Sequence, residues 1–393
     1  MLKKTLNFIP LLFILFIGCN EREKTPFKID YEKYQLDNGL TIILHEDKSD
    51  PIVGIAIQYH VGSNREIPGR TGFAHLFEHM LFQESQHVGQ DQFFKIIQNA
   101  GGTLNGGTSK DGTVYYEVIP KNALETALWL ESDRMGWLLS TVTQAAFENQ
   151  QEVVQNEKRQ RVDNRPYGHS NYVMIKNMYP EDHPYNWTTI GELEDLQNAT
   201  LTDVREFYEQ WYGPNNATMV IAGDINKREV KSLVEKYFGE IKPGPDNGDP
   251  EPQLVKLSKT KKVYHEDNFA RSPRLTMNFA SVDQRHFDAP ALELLGQLLG
   301  DGKKSPLYKV IVEEKKLAPS VYARSGTQEV AGTFDVVLTG FPSTNLTAAE
   351  NAIFEAFERF ETDGFTIEDL ERLKAKYETS FYNGISSVLG KGY

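Results

Sequence analysis

The chain has 393 residues, long enough for two or more domains with sizeable cores, and its 39% hydrophobic and 25% charged residues are ordinary for a soluble globular protein. Its 42 basic and 55 acidic residues leave a formal net charge of −13, which argues against nucleic acid or an anionic membrane as the main partner, since both need clustered Lys and Arg. With Cys19 the only cysteine, the rest of the chain offers no disulfide, no thiolate nucleophile and no thiolate ligand, so any metal must be held by His and carboxylate groups.

The first nineteen residues differ in kind from the rest. Lys3-Lys4 make a basic start, Leu6–Ile17 is mostly apolar, and Phe16-Ile-Gly-Cys19 sets a small residue before the cysteine. The apolar run falls short of the about 20 residues that a spanning helix needs, so residues 1–19 are expected to be an export signal rather than structure. The segment is similar to a bacterial lipoprotein signal. That resemblance implies membrane attachment through an acylated Cys19 and a place at the bacterial cell envelope, facing the periplasm or the exterior.

Residues 20–30 read as a polar tether, and Tyr34–Leu44 as a hairpin closed by Asn38-Gly39. Ile52–Val61 is expected to be a buried strand. The next stretch, Thr71-Gly-Phe-Ala-His-Leu-Phe-Glu-His-Met-Leu-Phe82, has helical spacing: Phe73, Leu76, Phe77, Met80 and Leu81 form one apolar stripe, and His75, Glu78 and His79 take the opposite side. Two His one turn apart can share a Zn²⁺ ion, while a carboxylate three residues from the first projects toward the same ion without having to bind it. A solvated helix face that happens to carry two His is the plain alternative.

A second helix is expected over Asp91–Asn99, then paired strands at Leu104–Ser109 and Thr113–Ile119, then helices over Asn122–Leu139 and Gln144–Arg161. An irregular stretch with His169 and His183 follows; both are read as structural, since neither stands at ligand spacing to another His. Leu201–Tyr212 is read as helix, Thr218–Ala222 as strand and Lys227–Phe238 as helix, which closes a first unit over residues 31–242. Residues 243–257, rich in Pro and Gly, are read as a linker.

Beyond it come strands near Lys262–His265 and Leu275–Phe279, helices at Ala289–Leu299 and Leu307–Lys316, strands at Ser320–Arg324 and Thr333–Thr339, and helices at Thr347–Glu361 and Ile367–Ser380. Strand, two helices, strand pair, two helices: the order of the first unit recurs, so the fold class is a duplicated α+β unit, each copy a mostly antiparallel sheet packed with helices. Only the first copy has the His-Glu-His triplet. The second, over residues 258–393, lacks a final helix-strand-helix and is expected to be incomplete.

A catalytic zinc site typically has three protein ligands and an open position. Glu131, Asp133, Glu148, Glu152 and Glu157 are the downstream candidates on long helices, and spacing does not choose among them.

The order H-x-x-E-H is the inverzincin motif. Together with Gly101-Gly-Thr-Leu-Asn-Gly-Gly-Thr-Ser-Lys-Asp-Gly-Thr-Val-Tyr-Tyr116, His183-Pro-Tyr185 and Tyr212-Gly-Pro-Asn-Asn-Ala217, it resembles the pitrilysin family of zinc peptidases, which includes the mitochondrial processing peptidases. The resemblance runs from about Tyr34 onward. It implies a zinc endopeptidase with one Zn²⁺ per chain on His75, His79 and Glu157, the last standing after the Val153-Val154 pair of the family's second motif, and with Glu78 as the catalytic base. It further implies peptide contacts at Asn105 and Gly106, extended or unfolded peptides as substrate, and a zinc-less paralogous subunit or second half as partner. The family's Arg and Tyr for substrate are replaced here by Pro306 and Pro319, and an acid of its second motif by Gln150, with Glu148 near enough to stand in. A scaffold or assembly subunit that keeps this fold without cleaving is the alternative.

Overall fold

The computed structural model of the protein describes residues 27–392; the expected export segment, Cys19 and most of the tether lie outside the described residues. In the first half, β1 (Glu32–Gln35) and β2 (Thr41–Glu46) form the hairpin expected at Asn38-Gly39, and β3 (Ile52–Tyr59) leads to α1 (Phe73–Met80) and α2 (Gln92–Asn99). β4 (Thr103–Thr108) and β5 (Thr113–Pro120) pair antiparallel, followed by α3 (Leu124–Trp137) and α4 (Gln144–Lys158). The stretch expected to be irregular holds two short helices, α5 (Ser170–Met178) and α6 (Leu193–Asn198). After them come α7 (Leu201–Trp211), β6 (Ala217–Gly223) and α8 (Lys227–Phe238).

The six strands form one sheet in the order β1-β2-β6-β3-β5-β4, in which only the β2–β6 pairing is parallel. On β5 buried and half-buried residues alternate along the whole strand, as the period of 2 requires when one face meets the helices. α1 lies on that face. Its stripe of Phe73, Leu76, Phe77, Met80 and Leu81 is fully buried, with the Phe77 ring 5.6 Å from Phe207, 5.9 Å from Tyr208 and 5.2 Å from Tyr212. Apolar burial of this kind contributes about 1.5–3 kcal/mol per large side chain, so the helix is held by its back and its polar face is left free.

The second half contains β7 (Arg274–Ser281), α9 (Ala289–Gly300), a π-helical segment Tyr308–Glu314 where an α-helix was expected, β8 (Ser320–Thr327), β9 (Gly332–Thr339), α10 (Leu346–Asp363), α11 (Ile367–Gly384) and α12 (Val388–Gly392). Its sheet order, β7-β9-β8, and its antiparallel pairings repeat those of β3-β5-β4. The duplication is therefore structural as well as sequential. The strand expected at Lys262–His265 does not form. In the first half β2 is paired on both sides, by β1 and β6; among the described residues the second half offers its counterpart neither neighbour, and an unpaired strand leaves its backbone groups unsatisfied.

α1 begins at Gly72, whose φ of +89° is left-handed, and an added Cβ there would lie 2.8 Å from the Ile190 carbonyl oxygen. The buried Glu66 carboxylate closes this end of the helix: Oε2 accepts from the Gly72 N–H at 2.9 Å and Oε1 from the Ala74 N–H at 2.9 Å. Burial pushes its pKa up, whereas two backbone donors at the positive end of a helix favour the anion. A donor faces each oxygen, so the geometry is that of a carboxylate. Glu66→Gln sets an amide NH₂ against one of these donors and is expected to cost about 1–3 kcal/mol, measured as a lower urea midpoint with an unchanged slope.

Candidate metal centre

α1 presents His75 and His79 one turn apart, with ring centroids 4.9 Å apart, and the end of α4 brings Glu157 against both. Glu157 Oε2 stands 3.2 Å from His79 Nε2 and 3.7 Å from His75 Nε2. The side chains are 12%, 23% and 15% exposed for His75, His79 and Glu157, so the pocket is sheltered yet open to a small ligand. Ligands about 2.1 Å from a tetrahedral centre lie roughly 3.4 Å from one another. The observed spacings bracket that value, and two imidazole nitrogens with one carboxylate oxygen are a zinc donor set. These residues fit the ion.

The electrostatics agree. Burial, and then the neighbouring His79, lowers the His75 pKa to about 4, which keeps the imidazole neutral, the form that binds metal. Directly after α4 the backbone widens into a π-helical turn, Arg159–Asp163, a feature frequent at functional sites. It carries Arg161, whose Nη1 lies 2.6 Å from Glu157 Oε1, so that one oxygen is held by a guanidinium and the other faces the imidazoles.

Two contacts fix α4 against α1. The buried Lys158 ammonium donates to the Gly191 carbonyl at 3.0 Å, and Gly191 packs on Gly72 so closely that a Cβ on it would lie 2.5 Å from the Gly72 Cα. Thr71 adds a third tie, donating through its backbone N–H and its hydroxyl to Asp195 at 3.0 and 2.6 Å.

Glu78, half-buried on the same face of α1, does not join the three converging groups; its Oε2 accepts from the Thr108 hydroxyl at 2.7 Å. Burial pushes its pKa up. Of the other acids left open by spacing, Glu131 is bound to Arg134 at 2.8 Å, Asp133 accepts from Ser85 and from His87, and Glu148 accepts from Gln144 at 3.0 Å. Gln150 is buried in α4. Asn105 and Gly106 lie on β4, the edge of the sheet, where Asn105 is exposed and a Cβ on Gly106 would come within 3.0 Å of the Phe82 ring.

His183 accepts from the Tyr185 N–H at 3.0 Å, contacts the Gln253 carbonyl at 2.8 Å and stacks on Tyr179, which is a structural role; His169 stands 3.5 Å from Asp163. Sequence spacing gave no sign of a second group of potential donors, His60, Asp249 and Glu329. Here Arg65 lies 3.3 Å from His60, and Arg285 lies 3.5 Å from Asp249 and 3.6 Å from Glu329. Two guanidinium groups of the chain thus already pair with these donors.

Residues 41–182 match the family profile described as Insulinase (Peptidase family M16), and residues 198–377 match the one described as Peptidase M16 inactive domain. The zinc protease PqqE of Helicobacter pylori is 29% identical over 91% of this chain and 80% of its own length. A crystal structure of a protease from Helicobacter pylori superposes with a TM-score of 0.85 at 28% identity, covering 92% of this chain and 87% of that one. The periplasmic protease PqqL from Escherichia coli shares the fold with a TM-score of 0.72 at 20% identity, and its match takes in 92% of this chain but 41% of PqqL. All four residues of the His-Glu-His triplet and Glu157 fall within the first profile and none within the second, so the profiles divide the chain as its own chemistry does, and the chain belongs to peptidase family M16.

Proposed function

We propose that the protein is a zinc-dependent endopeptidase acting on extended or unfolded peptides. The observation that carries this is the convergence of His75 Nε2, His79 Nε2 and Glu157 Oε2 at zinc-ligand spacing beside a half-buried carboxylate, Glu78, that is left outside the donor set. One Zn²⁺ bound there supplies the Lewis acidity that makes a water nucleophilic near neutral pH and polarises a peptide carbonyl.

The chain's own residues do the rest. Glu78 takes the proton of the attacking water and hands it to the leaving amine, so that the scissile C–N bond is replaced by a carboxylate and a free amine. The raised pKa that burial gives Glu78 suits it to both steps. A substrate adds as a further strand along β4, the open edge of the sheet, with Asn105 and Gly106 against its backbone. That placement sets its carbonyl on the side of α1 where the histidines stand.

A partner half completes the site. Pro306 and Pro319 stand where a substrate-binding Arg and Tyr are expected, and the match to PqqL leaves more than half of that protease uncovered, as expected if a second half closes the chamber. The same reading places the protein at the cell envelope, tethered through an acylated Cys19. A non-catalytic scaffold subunit is the second reading, favoured by the buried Gln150 in place of an acid and by the match of residues 198–377 to an inactive domain.

Three measurements bear on these readings. Glu78→Gln should keep about one zinc per chain and lose about 10²–10⁴-fold in cleavage of a quenched peptide; wild-type protein that binds zinc and never cleaves, with any partner, favours the scaffold. Glu157→Ala removes a ligand and should weaken zinc binding by at least about 10–100-fold, the loss that even outer-sphere changes produce, as read by competition with a chromophoric chelator. The purified chain alone should show little cleavage, and turnover should rise on adding its partner half; robust activity from the isolated monomer would remove the need for a partner.

A further inference from the structure

Glu78 reaches its place on a flexible stem, and a half-buried carboxylate with no partner would be free to rotate. Its closest partner is a hydroxyl on the β4–β5 hairpin: Thr108 Oγ1 lies 2.7 Å from Glu78 Oε2, and the Thr108 backbone N–H also faces the carboxylate. The single proton of that hydroxyl has one short acceptor. Thr113, directly opposite Thr108 in the ladder, spends its own proton on the Val61 carbonyl at 2.8 Å and stands 3.4 Å from the Thr108 oxygen. Thr108 is thereby left to donate to the carboxylate.

The hairpin that carries Thr108 is clamped just beyond it. The Ser63 N–H donates to the Ser109 carbonyl at 3.2 Å and the Asn64 N–H to the Lys110 carbonyl at 2.8 Å, while a Cβ on Gly62 would lie 2.3 Å from that same Lys110 oxygen. Asp111, at the tip, accepts from the Asn64 amide at 3.1 Å, from the Tyr185 hydroxyl at 2.5 Å and from the Glu329 N–H at 3.1 Å. Glu329 belongs to the β8–β9 turn of the second half, so both halves of the chain hold the tip.

From this geometry we infer that Thr108 is a positioning residue for the proposed reaction: its hydroxyl pins the Glu78 carboxylate through Oε2 and so sets the direction in which the base is aimed. Thr108 touches no substrate in this scheme and acts only through Glu78. The inference rests on the reading of Glu78 as the base. It gives the half without metal donors a part in the chemistry, because the β8–β9 turn steadies the hairpin that aims the base.

The test compares wild type, Thr108→Val, which keeps the shape and the strand preference but removes the donor, and Thr108→Ser, which restores it. Zinc content, thermal midpoint, kcat and KM are measured on the full chain with its partner half, and each zinc-loaded variant is crystallised. Thr108→Val should keep its zinc, midpoint and KM while kcat falls about ten- to a hundredfold, the scale on which a displaced catalytic group acts; Thr108→Ser should recover kcat. In the crystals, Glu78 should contact residue 108 in wild type and in Thr108→Ser and turn away in Thr108→Val. The inference is overturned by an unchanged kcat in Thr108→Val, by a loss of zinc or midpoint that parallels the loss of kcat, by failure of Ser to rescue, or by a Glu78 carboxylate that stays in place without the hydroxyl. Should wild type neither bind zinc nor cleave, the reading of the site fails by itself, and the crystals still decide whether Thr108 sets the position of Glu78.

Discussion

The site depends on a place where two backbones touch. Gly72 and Gly191 approach so closely that no side chain fits between them, and Lys158 at the end of α4 reaches the Gly191 carbonyl from the other side. This sets the first turn of α1 at a fixed distance from the last turn of α4. His75 projects from that first turn, His79 from the next turn of the same short helix and Glu157 from the end of α4, and a donor set is only as well formed as the apposition of the elements that carry it. The buried Glu66 carboxylate at the helix start and the Thr71–Asp195 contacts serve the same end, so charged and polar groups that touch no metal determine whether the three donors meet.

The duplication explains how a half with no donors can matter. Each half has the same three-stranded unit, but the first adds β6 beside β3 and β2 beyond it, which makes a sheet wide enough to cover α1, α3 and α8 with a single core. The second keeps its own smaller core, built on Leu307, Val310, Val336 and Ile353. A third cluster joins the two, in which Tyr179 and Tyr185 of the first half pack with Val330 and Ala331 of the second. The polar contacts of Asp111 and Glu329 run alongside it. A hairpin so anchored has little freedom to drift from the helix it faces.

Much of this was legible in the sequence wherever the signal is local. The stripe of α1 follows from a period of 3.6 residues, and α8 occupies the expected Lys227–Phe238, because Asn226 supplies an N-cap and Phe238 is the last buried residue of its face. Nine residues of α5 and six of α6 are too few for a period to declare itself, so the sequence reads there as irregular. Glu157 could be singled out only by resemblance, since five acids on two long helices look alike until the fold turns one of them toward the histidines. Glu66 and Thr108 carry no local mark at all: an acid in a loop and a threonine at a strand end are common, and their partners come from elements formed elsewhere. The strand near Lys262–His265 failed for the opposite reason, its own residues being suitable and its neighbours missing.

What separates the two carboxylates of the site is what each one faces. Glu157 is met by a guanidinium on one oxygen, a charge-assisted contact that holds that oxygen and directs the other toward the imidazoles. Glu78 is met by a neutral hydroxyl and by partial burial, and burial prevails, pushing its pKa up. In the proposed reaction Glu157 holds the metal throughout, whereas a base must give its proton away again once it has taken it. In the proposed function the same residue type thus serves two tasks, with a cation beside one copy and an alcohol beside the other. Exchanging those neighbours, and not the carboxylates themselves, would be enough to undo the division of labour.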